Sequence, residues 1–244
     1  MLIVNADDWG GWQTATNAAF SAVRAKSVTS VSAMVFMQDS ERGALIAGEC
    51  GVDVGLHLNF DLPFTGACVS SQLRRQHQRL VEFFRQRKLA NVLYSPSLRD
   101  PFRQLFDAQR EEFVRLYQRE PTHYDGHHHR HLCANMLLDR IIPSQQRVRT
   151  TFSFGWREKP FWNVAYRRIL DNFVRRCYVT TDRFFALSSS LPHSALMRVV
   201  ELSRSENVEL MTHPEAPGEK AFLTSAAFGE VFSDVPLGSY SSLA

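Results

Sequence analysis

The apolar run Leu2-Ile3-Val4 closes on a polar cluster, Asn5-Ala6-Asp7-Asp8, and the stretch from Thr14 to Ala25 then carries apolar residues, Ala18, Val23 and Ala25 among them, at helical spacing. The expectation is a strand followed by a helix. Val28 to Phe36 is rich in β-branched residues, Ala44 to Ala47 lies in a short helical stretch, and Val52 to Leu58 reads as a third strand. From Phe60 to Pro101 the pattern weakens under Pro63, Gly66, Pro96 and Pro101, and only the arginine-rich stretch Gln72 to Lys88 reads as a helix, at the surface. This segment is expected to be an insertion or lid. Phe106, Gln109, Phe113, Leu116 and Tyr117 follow helical spacing up to a stop before Pro121. A short strand end is expected at Thr122 to Gly126, a helix around Tyr166 to Val174, a strand from Arg183 to Leu187, a helix around Leu196 to Val200, and a last strand from Val208 to Met211.

This alternation belongs to α/β folds. The polar clusters Asn5-Ala6-Asp7-Asp8, His57-Leu58-Asn59, Asp125-Gly126-His127 and Thr212-His213-Pro214 each fall at or just past the C-terminal end of an expected strand. In a β/α barrel such ends converge on one face, where catalytic residues gather.

With 244 residues and 44% hydrophobic content the chain can bury a substantial core, and we read residues 1–244 as one domain. The 28 basic and 25 acidic residues are scattered, which gives a nucleic-acid role little support. Cys50, Cys68, Cys133 and Cys177 are too far apart for a zinc knuckle or redox pair and suit free thiols in a reducing compartment. No apolar run is long enough to span a bilayer, so membrane insertion is not expected and a soluble, cytoplasmic protein is.

The densest chemical signal is Asp125-Gly126-His127-His128-His129-Arg130-His131, which puts four of nine histidines within five residues. Clustered imidazoles point to metal ligation, and Gly126 is expected to let the backbone turn and aim them inward. Asp7 and Asp8 are adjacent carboxylates whose side chains, in extended backbone, point to opposite sides, so that one can ligate a cation while the other acts as general base. His57, between apolar neighbours, fits a buried core histidine as well as a ligand, and His213 is equally ambiguous alone.

Taken together, these motifs resemble the YdjC-like carbohydrate deacetylases, a family that includes chitooligosaccharide deacetylases and hopanoid-associated deacetylases. The resemblance runs through Asn5 to Gly10, Thr29-Ser30, Gly55 to Asn59, Pro121 to His131 and Met211 to Pro214, and more weakly Leu237 to Tyr240. Trp9 stands where members usually carry phenylalanine. The resemblance implies a distorted, TIM-like β/α barrel and one divalent metal ion, magnesium or zinc foremost, held by Asp8, His57 and His127. It also implies Asp7 as general base, His213 as general acid and an N-acetylated sugar as substrate; a homodimer is compatible with it. Whether His129 or His131 replaces His127 stays open, as does Asp125 as an acceptor orienting a neighbouring ring or merely stabilising a turn. Trp156, Phe161 and Trp162 are candidates for a sugar platform, with buried packing the commoner fate of such residues.

Three other readings compete. A metal phosphoesterase would often carry two metals and more carboxylates than this chain displays. A non-haem iron oxygenase shares the two-histidine, one-carboxylate set but leaves the spare Asp7 and His213 unused. A non-catalytic metal-binding protein built on the histidine run leaves Asp7, His57 and His213 without a purpose.

Overall fold

The computed structural model describes residues 1–87, 89–153 and 161–243, with the backbone alone for 161–164. Its strands are β1 (Leu2–Trp9), β2 (Ser30–Ala33), β3 (Asp53–Leu58), β4 (Tyr124–Gly126), β5 (Arg183–Ala186), β6 (Val208–Thr212) and β7 (Leu237–Gly238). They form one parallel sheet in the order β4-β3-β2-β1-β6-β5, with β7 beside the first residues of β1. Between β1 and β3 lie helices α1 (Gln13–Arg24) and α2 (Ser40–Cys50), and α3 (Ser71–Gln86) and α4 (Arg99–Tyr117) follow before β4. After β4 come α5 (Ala134–Leu138) and α6 (Phe161–Cys177), then α7 (Leu187–Ser190) and α8 (His193–Ser203) around the last long strands, and α9 (Pro217–Leu223) and α10 (Ala226–Val231) near the C-terminus. Among the described residues no helix is long and apolar enough to cross a membrane.

The strand–helix alternation expected from the sequence is present, and the sheet curls into a distorted barrel. Between β4 and β5 the closure is irregular: Tyr124 N–H donates to Arg147 C=O at 2.8 Å, Val148 N–H to Val179 C=O at 2.9 Å, and Ser153 N–H to Phe184 C=O at 2.8 Å. The segment 146–153 therefore occupies the place of a strand without the continuous pairing of one.

Strand alternation sorts the side chains in an unusual way. Leu2, Val4, Ala6, Val31, Ala33, Val54, Leu56, Val208 and Leu210 join the apolar core shared with the helices. The opposite positions, Asn5, Asp7, Ser30, Ser32, His57, Asp125 and Glu209, are buried and polar. The barrel interior is thus filled by hydrogen-bonded polar groups in place of the layered aliphatic side chains common to such barrels. Gly55 belongs to this interior face, and a Cβ there would lie 2.3 Å from the ring of buried His123. Gly55→Ala should therefore overpack the barrel and lower stability by about 1–3 kcal/mol, measured as a fall in the urea midpoint; an unchanged midpoint would show that the His123 ring can move aside.

In the stretch from Phe60 to Pro101 the surface helix expected over Gln72 to Lys88 is present as α3, with one face packed. α3 is capped by Ser70, whose hydroxyl accepts from Leu73 N–H at 3.1 Å, and it buries His77, Leu80, Phe83 and Phe84 along one face. Its arginines cover the outer side, so the polar sequence conceals a packed helix.

Candidate active site

Four strand ends bring the chemistry together. β1 delivers Asp7 and Asp8, β3 delivers His57, the turn after β4 delivers His127, and the turn after β6 delivers His213. The extended-backbone expectation for Asp7 and Asp8 does not hold. Asp8 has φ +63°, where the β1–β2 register slips between Ala6 and Trp9, and this left-handed residue turns its carboxylate to the same side as Asp7. Both aspartates consequently border His57.

His57 is almost wholly buried and held from behind, its Nδ1 lying 2.9 Å from Asp125 Oδ1. That contact leaves Nε2 facing Asp8 Oδ1 at 3.4 Å. His127 Nδ1 approaches the same oxygen at 3.2 Å, and His213 Nε2 lies 3.8 Å from Asp8 Oδ2 with its ring half-exposed. Burial pushes the Asp8 carboxyl up, but hydrogen bonds from His127 and His57 outweigh it and hold the group below the ordinary range. Burial works against a charged His57, yet Asp125, Asp7 and Asp8 hold its ring well above 6.5.

Gly126 acts differently from the expectation. It is extended, and a Cβ on it would press within 3.1 Å of His131 N and Leu58 O, so what it supplies is close approach. The sharp turn is made by His128 and His129, at φ +49° and +57°. This turn sends the histidines apart. His128 is exposed and pairs with Asp61 at 3.0 Å, His129 packs edge-on to Phe152, and His131 Nε2 meets Arg149 C=O at 3.1 Å inside the barrel. Burial lowers His129 well below 6.5 and His131 to about 4, as suits neutral interior rings. The helical geometry that would put His127 and His131 on one face is absent. Trp156 and the side chains of Phe161 and Trp162, the candidate sugar platform, lie outside the described residues.

The largest element missing from the sequence reading is Arg149, fully buried on the closing segment 146–153. Its Nη1 meets Asp7 Oδ2 at 2.8 Å and Asp125 Oδ2 at 2.7 Å, its Nη2 meets Asp7 Oδ1 and Glu209 Oε1, both at 2.7 Å, and its Nε meets Glu209 Oε1 at 2.8 Å. Three hydrogen bonds and two further close ion-pair contacts thus tie one guanidinium to three carboxylates. Burial pushes the Glu209 carboxyl up to about 7 despite the pull of Arg149. Asp7 Oδ1 also accepts from Asn5 Nδ2 at 2.9 Å, which leaves an unused lone pair on Oδ2.

Among the described residues, three sets of acidic and histidine residues bring ligand atoms within 4.8 Å of one another: Asp8, His57 and His127; Asp7, His57 and Asp125; and Asp61, His127 and His128. In the second set both carboxylates are already paired to Arg149, and in the third Asp61 is paired to Arg130 at 2.7 Å. A cation there would face a guanidinium. Asp8, His57 and His127 carry no such competitor, and two imidazoles with one carboxylate form a donor set suited to zinc and related divalent ions while leaving positions open. The sets share His57 or His127, which does not favour the paired-metal centre of a phosphoesterase.

Comparison with known proteins gives the family and the fold. The family model described as YdjC-like protein matches residues 1–233. The chain is 29% identical over 249 residues to a carbohydrate deacetylase of Mus musculus, covering 88% of this chain and 78% of that protein. It is 32% identical over 225 residues to a chitooligosaccharide deacetylase of Serratia marcescens, covering 88% and 81%. A solved structure from Enterococcus faecalis, of a protein named for cellobiose-phosphate cleavage, superposes with a TM-score of 0.70 at 18% identity over 100% of this chain and 98% of that one, a likeness of fold.

Proposed function

The chain belongs to the YdjC-like family, and on that footing we propose that it is a metal-dependent N-deacetylase acting on an N-acetylated sugar of N-acetylglucosamine type. Asp8, His57 and His127 are the proposed ligands, Asp7 the general base and His213 the general acid. The observation that carries the reading is the meeting of Asp8, His57 and His127, with ligand atoms within 4.8 Å, in a pocket that also holds the Arg149-bound Asp7 and the His213 ring. A divalent cation in that set would acidify a water molecule and polarise the acetamide carbonyl.

The residues of the chain supply the rest. Asp125 fixes the His57 ring so that Nε2 faces Asp8. Arg149 clamps Asp7 at both oxygens, so the remaining lone pair on Oδ2 has one direction in which to accept the proton of the attacking water. Water oxygen bonds to the acetyl carbon as that proton leaves. His213 Nε2 then delivers a proton to the sugar nitrogen as the C–N bond breaks, giving acetate and a free amine. His213 is held by its backbone N–H, which donates to Glu219 Oε2 at 2.7 Å, while its half-exposed ring can reach a ligand entering from solvent.

The test is acetate release from chitooligosaccharides, nucleotide sugars and N-acetylglucosaminyl lipids, using metal-free protein reloaded with magnesium, zinc or manganese. Release from at least one N-acetyl sugar, restored by a divalent ion after chelation, is expected. Release that persists in the chelated protein would refute metal dependence, and phosphate release from sugar phosphates without acetate release would favour the phosphoesterase.

A further inference from the structure

The polar network does not stop at Asp7; it continues through the barrel to the opposite end. Glu209, on β6, gives one oxygen to Arg149 and the other to the hydroxyl of Tyr240, which donates to Oε2. Tyr240 is wholly buried in the 3-10 turn that follows β7, its N–H donating to the Ser30 hydroxyl at 3.3 Å. Its ring stacks on His123, with centroids 3.7 Å apart and planes 12° from parallel. His123 Nε2 lies 3.0 Å from the Ser32 hydroxyl, which donates to Asp125 Oδ2 at 2.8 Å. The C-terminal tail thus reaches Asp7 and Asp125.

We propose that Tyr240 and Glu209 are positioning residues for hydrolysis: from the far end of the barrel they hold Arg149 in the orientation that fixes Asp7 and Asp125. This rests on the deacetylase reading. The physical reason is competition for one guanidinium. Arg149 donates to Asp7 through both Nη atoms and to Glu209 through Nε, with Asp125 Oδ2 2.7 Å from Nη1, and Glu209 is kept to a single oxygen by the tyrosine that occupies the other. Without the hydroxyl, Oε2 becomes a buried acceptor lacking its donor, and the carboxylate gains by turning both oxygens toward Arg149. That turn draws the fork away from Asp7.

Tyr240→Phe keeps the ring over His123 and removes only the hydroxyl. It should lower kcat on the best N-acetyl sugar by about tenfold, the effect of one mispositioned hydrogen bond to a charged group, with KM and zinc content unchanged. Glu209→Gln should lower kcat alone in the same way, and the double variant should be no slower than the slower single variant, because the two residues act in one chain. Loss of stability with unchanged kcat per zinc-loaded site would overturn the proposal, as would additive losses in the double variant. If Tyr240→Phe does not fold, Glu209→Gln alone decides by the same split between kcat and KM. A crystal structure of whichever variant folds separates this inference from the deacetylase reading: the two-point contact of Arg149 with Asp7 should open even if no N-acetyl sugar is hydrolysed, and an unmoved Arg149 refutes the positioning role whatever the substrate.

Discussion

His57→Ala should strip the protein of its divalent cation and of acetate release together. The ring stands between Asp125, which fixes it, and Asp8, which it faces at 3.4 Å, so alanine removes a proposed ligand while every strand keeps its apolar outer face. Losing an outer partner of a ligand typically costs about 10–100-fold in metal affinity. Asp125→Asn should fall in that range, and His57→Ala, Asp8→Ala and His127→Ala should each exceed it. The three histidines that follow His127 make an internal control. His128 is bound to Asp61 at the surface, and His129 and His131 are turned into the barrel wall, so alanine at His128 or His129 should leave zinc bound. Zinc content by atomic absorption, set beside acetate release, reads all of these. Full occupancy in His57→Ala, or loss in His129→Ala with retention in His127→Ala, would reassign the ligand set.

The parts of the site that could be read in the sequence share one physical property: they end a recognisable strand. Asp7-Asp8, His57 and His213 end or follow apolar runs, His127 follows a short strand marked only by its motif, and in a curled parallel sheet such positions meet whatever the distances along the chain. Arg149 had no such flag. It lies on a segment held by isolated backbone contacts, with no periodicity to mark it, and it is one arginine in an arginine-rich chain. Glu209 did carry a signal, an acidic residue inside the apolar run Val208 to Met211, which in a buried strand calls for a buried partner. Tyr240 appeared only as the weakest part of the family resemblance. The turn of Asp8 could not be read either, because nothing in Asp7-Asp8-Trp9 distinguishes a bulged strand end from an extended one. For the histidine run, burial chose the directions: two consecutive left-handed residues sent one ring to the pocket, one to solvent and two inward.

Asp7→Asn and His213→Ala should keep the metal and lose turnover, each by about a hundredfold to ten-thousandfold, the usual worth of a placed proton acceptor or donor. Neither residue belongs to the Asp8, His57, His127 set, so zinc content should stay near that of the unaltered protein. Their structural costs should differ. Asn at position 7 leaves Arg149 still paired to Asp125 and Glu209 but reduces the charge around a buried guanidinium, so a fall in the urea midpoint is expected; His213 is half-exposed, and its loss should leave the midpoint where it was. The leaving group separates their chemical roles. An N-acetyl substrate whose amine departs without needing a proton, such as a nitroanilide, should recover much of the rate in His213→Ala, because the missing step is protonation of nitrogen. The same substrate should give Asp7→Asn no comparable relief, because activation of the attacking water comes before the bond to nitrogen breaks. If both variants lose zinc in proportion to activity, these residues are ligands or supports of the metal; if the nitroanilide rescues Asp7→Asn and leaves His213→Ala slow, the base and the acid have been exchanged.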